Sequence, residues 1–268
     1  MIISISTANL YDVPFEKVLN IYKAAGYEHI ELAGYWKGGE WEIGQHLKGI
    51  APKDAISAVQ KNGLKISSFH DMGGVIEDGA ESIISATTYE YLEYYDFPCL
   101  VFHAPHKKGA TAAWWAQYKE KAMEDLQAVK ENRLICVENL FEVENYFMPL
   151  ITPLDMLDFA NYADVYVNAD TTHYAHSKFD IVGAVKTLGN RLKTIHLSDY
   201  KKREQHVHLG KGVLDFASFF KTLDLTNIYS VCVECKIKYD PSDDRVAIES
   251  AKKAREFVER FVWQEREK

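Results

Sequence analysis

Residues 192–212 read LKTIHLSDYKKREQHVHLGKG. The first part is a β-rich run, Leu192, Thr194, Ile195 and Leu197, that ends on two metal-competent side chains, His196 and Asp199. A basic loop follows at Lys201, Lys202 and Arg203, then His206 and His208 in alternation, then a Gly-x-Gly turn at Gly210 and Gly212. Each piece alone says little. The same order, an apolar strand closed by a histidine or carboxylate, returns about once every 35 residues along the chain, which is the length of one β/α unit.

Working outward, strand-like runs end at Glu31, His70, His103, Glu138, Asp170, His196 and Glu234, and residues 2–7 supply one more. Between them lie helical patterns, with apolar residues spaced three and four apart: residues 14–25 with Asp12 as the expected cap, 52–62, 80–94, 111–131, a helix opened by Thr152-Pro153, 179–188, 214–223 and a final helix from about Asp243. No Pro-, Gly- or Ser-rich linker interrupts them. Eight strands alternating with helices predict parallel βαβ units. A doubly wound sheet gathers polar strand ends only at a switch point. A barrel gathers one from nearly every strand on its C-terminal rim. The expectation is therefore an α/β chain folded as a (β/α)8 TIM barrel, with residues 1–268 forming a single domain.

The 268 residues are 47% hydrophobic and 26% charged, the composition of an ordinary globular chain. No apolar run approaches the ~18 residues of a membrane span, and the N-terminus lacks the basic region of a signal peptide. Four cysteines, Cys99, Cys136, Cys232 and Cys235, all fall in apolar strand-like runs, which suggests reduced thiols and a cytoplasmic protein. Cys232 and Cys235 form a CxxC, but 232 and 235 lie on opposite strand faces, so this pair reads as structural. With 31 basic against 39 acidic residues the formal charge is −8, a poor balance for neutralising nucleic-acid phosphates.

If the strand ends converge, they bring together His70, His103, Glu138, Asp170, His173, His196, His206 or His208, and Glu234. Carboxylate oxygen with imidazole nitrogen is the donor mix of Mn, Zn and Fe(II) centres. The compact four-ligand subset is Glu138, Asp170, His196 and Glu234. Buried without partners these groups would be costly, and a divalent cation removes that cost. Asp199 reads as an orienter of His196. Trp36 and Trp41, in a loop on the rim side, are candidates for a pocket wall, and Lys201–Arg203 for contact with an anion or hydroxyl.

The segments Phe69-His70-Asp71, Val101-Phe102-His103, Val137-Glu138-Asn139, Asp170-Thr171-Thr172-His173, His196-Leu197-Ser198-Asp199, His206-Val207-His208-Leu209-Gly210-Lys211-Gly212 and Val233-Glu234 together resemble the xylose isomerase-like TIM barrels, the superfamily of sugar isomerases, epimerases and endonuclease IV. In its ketose epimerase branch, the resemblance implies one divalent metal on Glu138, Asp170, His196 and Glu234. Glu138 and Glu234 are then also the acid/base pair, and His173 contacts substrate. In the endonuclease IV branch it implies three zinc ions on His70, His103, Glu138, Asp170, His173, His196, Glu234 and an Asp-x-His pair. That pair falls here at Glu204 and His206, with Glu in place of Asp.

The resulting expectation is a divalent-metal-dependent isomerase or epimerase of a sugar, sugar phosphate or cyclitol, working through a metal-stabilised enediolate. The ion would be Mn, Zn, Co or Mg, one ion first and two or three left open. Arg203, His206 and Trp36 complete the candidate substrate contacts. The alternatives are a multi-zinc phosphodiesterase and a metal-dependent dehydratase like 3-dehydroshikimate dehydratase. A carbohydrate is the expected partner, with no membrane and no nucleic acid, and homo-oligomers remain open.

Overall fold

The computed structural model describes residues 1–33, 45–76 and 82–266; the loop carrying Trp36 and Trp41 lies outside them. Eight parallel strands close a barrel: β1 (Ile2–Ser6), β2 (His29–Ala33), β3 (Lys65–Asp71), β4 (Cys99–His103), β5 (Leu134–Glu138), β6 (Tyr166–Asp170), β7 (Leu192–Leu197) and β8 (Ser230–Val233). Each strand pairs with the next in sequence, and β8 returns to β1 with Ser230 beside Ile2. Around them run α1 (Phe15–Ala24), α2 (Pro52–Lys61), α3 (Ala86–Leu92), α4 (Ala112–Ala128), α5 (Pro153–Ala163), α6 (Thr171–His176), α7 (Ile181–Leu188), α8 (Phe216–Thr222) and α9 (Asp244–Arg266).

Strand side chains alternate between two faces. The outward set, including Ile5, Ile30, Leu32, Phe69, Leu100, Phe102, Val137, Val167, Ile195 and Val231, joins the helices in one continuous apolar core. The other set is polar or small: Ser4, Glu31, Ser68, His70, Cys136, Glu138, Asn168, Asp170, Thr194, His196 and Cys232, all buried. The layer filling a barrel is usually branched aliphatic. Here it is a hydrogen-bonding column, with a small apolar plug of Cys99, Val101 and Cys136.

The C-terminal helix packs on the barrel's own shell. Phe257 lies 5.4 Å from Phe216, and Phe261 stacks on Phe220 at 5.0 Å. All four cysteines are free and buried. Among the described residues, no helix is long and apolar enough to cross a membrane.

Local differences from the sequence reading have local causes. Asp12 does not cap α1; Pro14 occupies that position without a side-chain bond. The helix expected from residue 80 starts at Ala86, where the Ser85 hydroxyl accepts the Thr88 N–H at 3.3 Å. α6 is an extra helix, capped by Asp170.

The basic loop after β7 is a hairpin, Asp199–Lys201 against Glu204–Val207. Its two-residue turn is Lys202-Arg203, both left-handed with φ of 49° and 69°. Such turns favour Asn-Gly, so a Lys-Arg pair carries no turn signal. Placing two L side chains there costs of order 1 kcal/mol each. Lys202→Asn with Arg203→Gly should therefore raise stability by about 1 kcal/mol, read as a melting temperature higher by roughly 2–4 °C.

Candidate metal centre

The C-terminal ends of β5, β6, β7 and β8 deliver Glu138, Asp170, His196 and Glu234 to one point. Each offers a ligand atom, and these atoms lie within 4.8 Å of one another. The strand register sets this, pairing Asp170 with His196 and His103 with Glu138. Glu234 stands one residue beyond β8, its N–H bonded to the Leu197 carbonyl at 3.0 Å.

The surroundings of each group show which atoms are already committed. The Asp170 Oδ1 atom accepts from Thr172 N (2.7 Å), His173 N (2.8 Å) and the Thr172 hydroxyl (3.0 Å). Its Oδ2 is buried with no partner. Asn168 donates to Glu138 Oε2 at 3.1 Å, while Glu138 Oε1 has no hydrogen bond and lies 3.4 Å from His173 Nδ1. His196 Nδ1 lies 2.9 Å from Glu138 Oε2 and 2.7 Å from Glu234 Oε2. Neither contact has hydrogen-bond geometry, and Nδ1 and Glu234 Oε2 are both buried without a partner.

An orphaned polar atom in an interior costs about 1–3 kcal/mol, so a convergent set of them calls for a common partner. Donors about 2.1 Å from a cation stand roughly 3 Å apart across adjacent positions. The His196 contacts have that spacing. Two carboxylate oxygens, a third from Asp170 and an imidazole nitrogen fit a divalent cation such as Mn or Zn.

The charges agree. Burial would raise the Glu138 carboxyl, but the His196 and His70 charges outweigh it and hold the group well below the usual carboxylate range. At Glu234 burial is likewise overcome by His196, and the carboxyl is lowered. Burial would strip the proton from His196, yet Glu138, Glu234 and Glu31 push it well above the ordinary imidazole value. His70 is raised by Glu138 and Glu31 against the opposing effect of burial. At His173 burial loses to Asp170 and Glu138, and the group is pushed up to about 9. His103 goes the other way: burial exceeds the pull of Glu138 and takes it down to about 3. The raised His70, His173 and His196 thus favour, in the metal-free protein, positive charge where a cation would bring it.

The other expected residues divide clearly. His70 sits 3.2 Å from Glu138 Oε2 and 3.6 Å from Glu31 Oε1, with neither ring nitrogen hydrogen-bonded. His70, His103 and Glu138 form a second group of converging ligand atoms; Asp170, His173 and His206 form a third. His173 Nδ1–H donates to the Asn139 carbonyl at 2.9 Å. His206 Nδ1–H donates to the Glu234 carbonyl at 2.9 Å, tying the hairpin to the β8 end.

Glu204 is exposed and pairs with Lys236 at 2.6 Å, away from the cluster. Arg203 is exposed at the hairpin tip. His208 is turned away and donates from Nε2 to the Ser250 carbonyl at 3.0 Å. Asp199 does not orient His196. It accepts from Tyr200 N, Gly212 N and Leu214 N, folding the chain after the hairpin. A Cβ at Gly212 would collide with that carboxylate and the Tyr200 carbonyl, which is why glycine stands there.

Sequence reasoning left Glu31, Asn139 and Asn168 out of the site. Asn139 is held both ways by Asp170, whose N–H donates to its Oδ1 at 2.8 Å. Polar residues inside otherwise apolar strands were the available signal.

Above the cluster lies a cavity of about 430 Å³. Glu138, Glu234, His103, His173 and His206 line it together with Met72, Leu140, Phe141, Val143, Tyr146 and Met148. Among the described residues no lysine or arginine lines it.

Two outcomes are expected. Asp170→Asn keeps the Oδ1 acceptor that caps α6 but replaces the unpartnered oxygen by an amide. Metal analysis should show loss of bound divalent ion, with the metal-free melting temperature nearly unchanged. Second, a group raised in the folded protein stays protonated until pH passes its folded pKa, so a cation must displace a proton from His196. Zinc addition at pH 7 should release at least one proton, and zinc affinity should rise with pH. Calorimetry in two buffers of different ionisation enthalpy reads both.

A family profile described as xylose isomerase-like TIM barrel matches residues 19–260. No curated protein gives a match. Among solved structures, the zinc-bound IolI protein is 15% identical with a TM-score of 0.70, over 97% of this chain and 99% of that one. D-psicose 3-epimerase from Clostridium cellulolyticum H10 is 15% identical with a TM-score of 0.69, over 97% and 99%. The 3-keto-D-glucoside 4-epimerase YcjR from E. coli is 15% identical with a TM-score of 0.65, over 96% and 99%. At such identities the structural likeness is one of fold, whereas the profile spans most of the chain: it belongs to the xylose isomerase-like TIM barrel family.

Proposed function

We propose that this chain, acting as one catalytic domain, is a divalent-metal-dependent isomerase or epimerase of a neutral sugar or cyclitol. One observation carries the reading. Two carboxylates, Glu138 at the end of β5 and Glu234 just beyond β8, reach the floor of a single cavity, and each keeps a buried oxygen without a hydrogen bond. Glu138, Asp170, His196 and Glu234 would hold the ion. When bound, it would polarise a carbonyl and the neighbouring hydroxyl.

The protein's own groups then handle the protons. A carbon beside a carbonyl loses its proton to a base on one face, and epimerisation returns a proton from the other. Glu138 ends β5 and Glu234 follows β8, strands separated in the barrel by β6 and β7, so the two would approach a substrate between them from different sides. Asn168 fixes one rotamer through Glu138 Oε2, and His206 fixes the backbone of the other. His103 and His173 offer ring groups to substrate hydroxyls from the cavity wall. A phosphorylated substrate is disfavoured by the absence of lysine and arginine from the described wall. The same absence, with the net charge of −8, weighs against a phosphodiester in DNA. Apolar walls suit the C–H faces of a ring or chain sugar. Structurally similar proteins include a D-psicose 3-epimerase and a 3-keto-D-glucoside 4-epimerase, which supports the same chemistry.

With Mn added, solvent deuterium should enter the carbon next to the carbonyl in at least one member of a panel of free ketoses and inososes. Glu138→Gln and Glu234→Gln should each slow this by about 10²–10⁴-fold. Cleavage of abasic DNA with no exchange in any sugar would overturn the reading.

A further inference from the structure

Glu31 is 1% exposed at the centre of the barrel, and the chemistry above gives it no part. Its Oε2 accepts from the Ser68 hydroxyl at 2.9 Å and lies 3.1 Å from His196 Nε2. Its Oε1 lies 3.6 Å from His70 Nδ1 and accepts the Cys232 thiol at 3.7 Å. Donors from β3, β7 and β8 thus take up both oxygens. That contrasts with Glu138, Asp170 and Glu234, each of which keeps one buried oxygen without a partner. Glu31 has the surroundings of a fully satisfied acceptor and not those of a ligand, although His70 and His196 lie close enough to form a triad with it.

An ionised carboxylate only accepts, so His196 Nε2 must carry the proton in this pair. The remaining nitrogen, Nδ1, is the one that faces Glu138 and Glu234. We infer that Glu31 is a positioning residue that pins the His196 tautomer, presenting Nδ1 to the cation from beneath the site. The inference rests on the metal-centre reading above. Partners of this kind usually alter metal affinity by roughly 10–100-fold when removed.

The test is zinc titration of metal-free wild type, Glu31→Ala and Glu31→Gln against a competing chelator, with ¹⁵N-histidine NMR of the zinc-loaded proteins. Glu31→Ala should weaken zinc by roughly 10–100-fold and lose the slowly exchanging Nε2 proton of His196. Glu31→Gln, whose amide oxygen can still accept, should recover much of both. A purely structural role would lower the metal-free melting temperature and leave zinc affinity and tautomer untouched; that result overturns the inference. Should Glu31→Ala not fold, the wild-type spectrum decides: an Nδ1-protonated His196 overturns it, an Nε2-protonated one upholds it. A wild type that takes up no zinc, manganese or cobalt overturns the metal centre itself and the inference with it. Zinc binding that is equal in wild type and Glu31→Ala overturns the inference alone.

Discussion

The barrel must bury four carboxylates, Glu31, Glu138, Asp170 and Glu234, on the inner faces of β2, β5, β6 and the end of β8. An ionised carboxylate in an interior is affordable only with partners, and breaking a buried pair by removing one member costs about 3–5 kcal/mol. Here the compensation is arranged in tiers. Glu31 is satisfied from below by hydroxyl, thiol and imidazole donors. Asp170 spends one oxygen capping α6 and keeps the other in reserve. Glu138 and Glu234 meet at His196 Nδ1 without bonding to it. The pattern separates Glu31, whose oxygens are both taken up, from Glu138, Asp170 and Glu234, each of which keeps one oxygen without a hydrogen bond.

That arrangement couples distant segments. The α6 cap and the Asp170 carboxylate are one group, so the helix after β6 and the proposed ligand set share a side chain. The hairpin after β7 reaches across to β8, where His206 donates to the Glu234 carbonyl and the Lys236 N–H returns to the His206 carbonyl at 2.7 Å. His206 itself is left-handed, with φ of 53°. Strain at a residue that also lines the cavity is a common companion of function. The aromatic wall continues the coupling: Phe141 contacts both His173 and His176 at 5.1 Å between ring centroids.

Most strands and helices could be read from pattern, because β/α units announce themselves by a change of period from two to about 3.6. The strand ends Glu138, Asp170 and His196 were legible for the same reason: a polar residue closing an apolar run stands out. The hairpin turn was not, since Lys202-Arg203 has none of the residues that a left-handed turn normally selects. Glu204 entered as half of the Asp-x-His pair that the family resemblance implied. Two residues along a strand share a face, but the bulge in this hairpin and the Lys236 partner turn Glu204 to solvent. Asp199 was read as an orienter of His196, yet its oxygens are consumed by the N–H groups of Tyr200, Gly212 and Leu214.

By itself the sequence determined the repeat, its count of eight, and which polar residues end the strands, since these depend on periodicity within each unit. Only the tertiary structure decided which atoms remain free. Closing the barrel leaves only β1 and β8 between β2 and β7, so that Glu31 meets His196 across 165 positions of sequence. It also places β5 and β8 on two sides of one cavity. Hydrogen-bond satisfaction is a property of three-dimensional neighbours, and no local pattern encodes which oxygen of a carboxylate is left without one.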